Sequence, residues 1–381
     1  MGKYKNNFIF VVLILLFSVG IFVLNYYYDP IDARGGEKCY IYWSHSRKYV
    51  NIKIKASKKF KYDTLVLGTS ITSDLFPNPE RYDLPRIILF EMSMEEMYKI
   101  IQMFFDIHKE TKHIFLPLEI HSVFFDHKGG IGTIPEYNYN PNFTLSEFIH
   151  SYYTVEITKK SLQYLKADLK NEHSEDDDWM LQNSNPTISV LSECRLFPPN
   201  ISKLSKSKIK DDYYYWGKIL DFLQERNVKI TCFIPPANYI YLQDAMTDEK
   251  LKVLNDLKYL TVSKGIEIYD FSKKNKYNEE SMKKSYLFAD LVHPNFIYGN
   301  IIYKTLTHKL DDKSLYRIIT KDNIDECIKL SVKELDEYKK THQNLIKEYY
   351  TYDYDIAWDN KTKRKFTSLK EIPEKYRVLN E

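Results

Sequence analysis

The chain has 381 residues, of which 44% are apolar and 28% charged, enough for one large domain or a domain with a substantial insertion. A formal net charge of +3 with dispersed basic residues excludes the dense positive face that nucleic-acid binding needs, so no nucleic-acid partner is expected. Cys39, Cys194, Cys232 and Cys327 show no CxxC or Cys/His ligand spacing, which argues against a zinc site, and neither a metal nor a cofactor is expected.

Phe8 to Leu24 runs without a charge and is followed by Tyr26, Tyr27 and Tyr28 at the place of an interfacial aromatic belt. As a helix of roughly 20 residues it would be about 30 Å long, enough to cross a bilayer. Lys3 and Lys5 precede the run, so the positive-inside rule predicts a single-pass membrane protein, N-terminus cytoplasmic and body extracytoplasmic. A cleaved signal peptide is the alternative, but Asn25 and three tyrosines stand where a small-x-small cleavage site would be. Met1-Gly2 is not followed by the Ser or Thr that myristoylation wants, since the sixth residue is Asn6. The 33 tyrosines fit surfaces that touch sugars or lipid headgroups, and equally a coding bias toward Tyr, Lys, Asn and Ile.

Residues 29–60 read as a connecting segment in which Lys53, Lys55, Lys58, Lys59 and Lys61 form a solvated face or one that hugs anionic lipid or glycan. A domain over 61–320 follows. Short apolar strands are predicted at 64–67, 86–90, 113–118, 229–234 and 266–271, alternating with helical patterns at about 94–105, 211–226 and 248–264, the last closed by Gly265. This order predicts an α/β, three-layer sandwich built on a five-stranded parallel sheet, with its active site at the carboxyl ends of the strands. An insertion or lid at about 121–210 carries a helix predicted over 144–169. Its Gly129-Gly130-Ile131-Gly132 lacks the Lys-Ser/Thr of a phosphate loop, and Asp176 to Asp178 read as a solvated linker. Cys232, inside the run 230–234, reads as a small buried hydrophobe, with disulfides permitted outside the cytoplasm. Beyond 320, a helix over about 322–349 and a polar tail to 381 are expected to pack on the domain or a partner.

Chemistry concentrates in two segments. Gly68-Thr69-Ser70-Ile71-Thr72 directly follows the first of these strands, where glycine would let the backbone turn sharply and a following helix would aim its N-terminal N–H groups at an oxyanion. Read alone, Ser70 is equally a helix N-cap. After the fifth strand comes Asp290-Leu291-Val292-His293-Pro294-Asn295. A serine hydroxyl needs a base, which His293 supplies, and Asp290 three residues earlier can fix the imidazole tautomer; a buried histidine in a capped loop is the alternative.

Together, the turn around Ser70 after strand one and the Asp290–Asn295 block with Gly299 after strand five resemble the SGNH (GDSL-type) hydrolase superfamily, over about residues 62–309. The resemblance implies a flavodoxin-like sheet with Ser70 as nucleophile, His293 as base and Asp290 as its orienting acid. It departs at three places. Thr69 replaces the family's aspartate; Phe90-Glu91-Met92-Ser93-Met94 has no glycine to line an oxyanion hole, leaving the N–H of Ser93; and the third strand ends Glu119-Ile120-His121 with no asparagine, leaving His121 as the candidate donor beside the amide of Ser70. These departures and the N-terminal anchor make the chain similar to the membrane-attached branch that O-acetylates bacterial surface polysaccharides. That likeness implies an extracytoplasmic acyltransferase with an acyl-Ser70 intermediate, a cell-surface glycan acceptor and a multi-spanning membrane acyltransferase as donor. An esterase or deacetylase, and a non-catalytic scaffold of cell-envelope assembly, are the alternatives.

Overall fold

The computed structural model describes residues 2–30, 33–34, 40–41, 49–73, 86–89, 92–119, 142, 144–170, 206–237, 242, 248–275, 278, 294 and 296–344; at residues 2–6, 40–41, 70, 73, 206–208, 248 and 296–297 it describes the backbone alone. Among the described residues, seven strands form one sheet: β1 (Tyr40–Ile41), β2 (Thr64–Gly68), β3 (Arg86–Ile88), β4 (His113–Pro117), β5 (Lys229–Ile234), β6 (Ile268–Asp270) and β7 (Arg317–Ile319). Their order is β1-β3-β2-β4-β5-β6-β7, every pairing parallel except that of β6 with β7.

All five predicted strands are present, and the architecture is α/β, but the expected five-stranded parallel sheet is corrected to a seven-stranded mixed one. The two additional strands lie at the edges and are too short to show as apolar runs. β7 is held by a side chain instead: Asn323 accepts from the Thr320 N–H (2.7 Å) and donates to the Ile318 carbonyl (2.9 Å).

Side chains alternate across each strand, so the runs bury both faces of the sheet. Leu65, Leu67, Ile114, Leu116, Cys232 and Ile234 enter one core with the helices α4 (Met94–Ile107), α7 (Lys206–Glu225) and α8 (Asp248–Ser263). Val66, Ile88, Phe115 and Phe233 face the opposite way, onto Tyr298, Ile301, Ile302 and Leu306 of α9 (Phe296–Leu306). Cys232 is a fully buried core residue, as expected, and burial pushes its thiol upward. Trp216 of α7 donates its indole N–H to Thr261 of α8 (2.8 Å), which satisfies the one polar atom of a large buried ring. Gly265, at φ 75°, ends α8 in the left-handed conformation that favours glycine.

Two expectations change at the N-terminal side of the sheet. The lysine-rich stretch forms α2 (Val50–Ala56), in which Lys53 and Lys55 are buried, so that part of the run is not a solvated face. Lys55, 2% exposed, meets Glu147 at 2.7 Å. The single helix predicted over 144–169 is two, α5 (Leu145–Tyr152) and α6 (Val155–Lys170), because Thr154 turns its hydroxyl to accept the Ile157 N–H (3.3 Å) and starts a new helix. The apolar α1 (Gly2–Tyr28) is long and apolar enough to cross a membrane over Asn7–Tyr28. At the other end, the helix predicted over 322–349 is α10 (Ile324–Thr341), whose last turn closes with His342 N–H to the Tyr338 carbonyl (3.0 Å). The Gly129–Gly132 loop, Asp176 to Asp178, Cys39, Cys194 and residues 345–381 lie outside the described residues.

Candidate active site

β2 lies between β3 and β4 in the interior of the sheet, and Ser70 opens the one-turn helix α3 (Ser70–Ser73) at its carboxyl end. Gly68 is the last residue of β2, and its carbonyl accepts the Leu89 N–H at 3.1 Å. A Cβ added at Gly68 would stand 1.8 Å from Thr72 Oγ1, 2.8 Å from Thr72 Cβ and 3.1 Å from Glu119 Oε1. The expected reason for this glycine is therefore corrected. Among the described glycines only Gly265 has positive φ, and Gly68 is required because the Thr72 side chain lies directly over its Cα. The first and last residues of the Gly-x-Ser-x-Thr motif are a packed pair.

Glu119, two residues past β4 and fully buried, fastens the turn. Its Oε1 accepts the Thr69 N–H at 3.0 Å and lies 2.9 Å from the Thr72 hydroxyl, whose single proton also faces the Thr69 carbonyl at 2.8 Å. Burying a carboxylate is costly unless donors surround it, and N–H or O–H bonds to a charged oxygen are about twice as strong as neutral ones. Two further turn amides are taken internally: Ile71 N–H bonds Thr69 Oγ1 (3.3 Å) and Thr72 N–H bonds the Thr69 carbonyl (3.0 Å). The expected array of helix N-terminal N–H groups aimed at an oxyanion is thus corrected: the helix is one turn long, and the amides of Thr69, Ile71 and Thr72 already have acceptors.

Glu119 is not among the residues that the sequence motifs single out for the site. A signal was there: a lone carboxylate immediately after an apolar strand, at the sheet edge where sites of parallel sheets collect. Ser93 has a definite role as the N-cap of α4. It accepts the Glu96 N–H on Oγ (3.2 Å) while its own N–H donates to Glu96 Oε2 (3.1 Å), so an oxyanion at Ser93 would have to displace that carboxylate. Asp290, His293 and His121 lie outside the described residues, as does the Ser70 side chain. Pro294 is buried, and the core helix α9 starts two residues after it.

One further carboxylate stands at the carboxyl edge. Asp270, fully buried at the end of β6, accepts from Ser272 N–H (3.0 Å) and Oγ (2.5 Å). β6 is three strands from β2, about 14 Å at the usual strand spacing, too far for Asp270 to orient a base acting on Ser70. The structure therefore gathers Gly68, Thr69, Thr72 and Glu119 around the Ser70 backbone and sets Ser93 at the exit of the adjacent strand. Scanned against models of protein families the chain matches none, and a search of curated proteins finds no match.

Proposed function

We propose that this protein is a membrane-anchored, serine-dependent O-acyltransferase of SGNH type that modifies a cell-surface polysaccharide on the extracytoplasmic side. The observation that supports it best is the placement of Ser70 at the carboxyl end of an interior parallel strand, on a turn immobilised by Thr72 over Gly68 and by the buried Glu119. A nucleophile needs such a fixed backbone, since small misplacements cost large factors in rate.

In the proposed cycle, His293 takes the Ser70 Oγ proton as Oγ attacks the donor carbonyl, and returns it to the departing oxygen when the tetrahedral adduct collapses to acyl-Ser70. The acceptor hydroxyl then gives its proton to His293 and attacks the acyl carbonyl, and Ser70 Oγ leaves with that proton. Asp290 holds the imidazole tautomer and stabilises the imidazolium. Because the amides of Thr69, Ile71 and Thr72 already have acceptors, donors to the oxyanion must come from the Ser70 amide and from outside the turn, with Ser93 and His121 as the candidates. Water as acceptor gives the esterase reading by the same steps. The internally bonded amides of Thr69, Ile71 and Thr72 favour the scaffold reading and make labelling the deciding test.

The test uses the full chain in detergent micelles, treated with a fluorophosphonate and, separately, with an activated acetyl ester plus oligosaccharide acceptors. Wild type is expected to label and to transfer acetyl in preference to releasing acetate, with Ser70→Ala slower by at least about 10³-fold. Equal labelling and equal turnover in the two proteins would refute a catalytic Ser70.

A further inference from the structure

We propose that α5 is a second membrane attachment: an interfacial helix lying in the leaflet that faces the domain, which seats the domain on the bilayer. This rests on reading α1 as a membrane-spanning helix.

The argument begins with depth. Asn7–Tyr28 spans about 33 Å at 1.5 Å per residue, slightly more than a hydrocarbon core of about 30 Å. Phe22 stands six residues before Tyr28, roughly 9 Å inside the end of that span. Its ring packs on Phe148 (5.8 Å between centroids) and Tyr152 (5.4 Å) of α5 and on Tyr153 (5.9 Å) just after it. A helix touching α1 at that level reaches the boundary between headgroups and acyl chains, where apolar faces of interfacial helices sit about 5–10 Å deep.

The composition of α5 agrees. Leu145, Phe148 and Ile149 share one face by their spacing and are 76%, 39% and 46% exposed, and on α1 the exposed Val19 and Val23 flank in sequence the Phe22 that packs on Phe148. In water this would be a continuous apolar patch from the anchor onto the domain. In a bilayer it is one lipid-facing surface. The joint is specific as well as greasy: Asn25, buried within the otherwise apolar end of α1, donates to the Tyr152 carbonyl (2.6 Å) and to Thr158 Oγ1 (3.0 Å). Polar groups at that depth are expensive unless paired, so α5 and α6 remain attached to α1.

The seat is also tied to α2, whose Val50 and Ile54 enter the core of the sheet. Tyr152 and Ile157 share a small core with Tyr49 and Ile52, and the Lys55–Glu147 pair joins α5 to α2. The domain is thus held at one orientation to the bilayer, and the rim carrying Ser70 keeps a constant height above the lipid.

The test places the photo-crosslinking residue p-benzoylphenylalanine in the purified full chain, in vesicles of phosphatidylcholine and phosphatidylglycerol, at Leu145 or Ile149, with Leu15 as anchor control and Tyr213 as a domain-surface control. Lipid adducts at Leu145 and Ile149 within about 3-fold of those at Leu15, and about 10-fold above Tyr213, are the expected result for shallow insertion. Adducts at Leu15 with only Tyr213-level yields at Leu145 and Ile149 would overturn the seat while leaving the anchor intact. Chain-to-chain adducts at Leu145 and Ile149 would overturn it too, making this face a contact between copies. Absence of lipid adducts at Leu15 would remove the anchor and the proposal with it.

Discussion

Replacing Gly68 by alanine puts a methyl group 1.8 Å from Thr72 Oγ1 and 2.8 Å from Thr72 Cβ, where ordinary contact is near 3.5 Å or more. Rotating Thr72 moves Oγ1 away but breaks its contacts with Glu119 and the Thr69 carbonyl, and the Cβ contact persists, so the turn itself must shift. Overpacking of this kind costs about 1–3 kcal/mol and loss of the bond made by the single hydroxyl proton about 1, which puts Gly68→Ala at about 2–4 kcal/mol. Thr72→Gly alone forfeits the same bond and some helix propensity, about 1–2 kcal/mol. The double variant keeps only the 3.1 Å approach to Glu119 Oε1 and is expected to be no worse than Thr72→Gly, a coupling of about 3 kcal/mol. Urea unfolding followed through the buried Trp216 measures all four proteins. Additivity within about 0.5 kcal/mol would refute the claim that Thr72 is what makes position 68 a glycine.

Glu119→Gln keeps an oxygen for the Thr69 N–H and the Thr72 hydroxyl, so it is expected to change stability by less than about 1 kcal/mol, whereas Glu119→Ala strands the buried Thr69 N–H and costs about 3 or more; denaturant midpoints of the two variants check this, and equal loss in both would show that the charge, not the acceptor, matters. At the opposite end of the sheet, His113 sits between Thr231 Oγ1 (2.8 Å) and Thr64 Oγ1 (3.4 Å), and burial, reinforced by Lys229, holds its imidazole down to about 4. The unfolded chain then binds a proton near pH 6.5 that the folded one refuses, so this contribution is present above pH 6.5 and is lost as pH falls to 4. The full difference corresponds to ~3 kcal/mol, reduced to about 1–2 by the partial exposure of His113. Unfolding free energies across that range should fall less steeply for His113→Asn than for wild type, and parallel slopes would refute it.

The central strands were legible because runs such as Leu65 to Leu67 and Ile114 to Leu116 bury alternate residues on both faces and so read as unbroken apolar stretches. Helix starts were legible where they rest on local chemistry, as with Ser93 and Glu96. What sequence could not show are features set by meetings between distant residues. Lys55 reads as a solvated charge until Glu147 arrives from 92 positions away, and Glu119 reads as a strand-end acid until it closes on Thr69. Likewise, Gly68 reads as a residue that lets the backbone turn sharply, although its reason is a neighbour's side chain four residues on.

The sheet order also implies a schedule for biosynthesis. β2 pairs with both β3 and β4, and all three are encoded within 64–117, together with α4, whereas β4 must wait roughly 110 residues for β5, and β6 for β7 beyond that. At synthesis rates of about 5–20 residues per second, one edge of β4 stays unpaired for several seconds while the chain emerges. Thr69, Thr72 and Glu119 all belong to the early half, so their turn can form before the segment carrying Asp290 and His293 exists. During that interval the open edge of β4 is the place where a nascent chain would pair wrongly, and a holdase that binds extended apolar strands would act there.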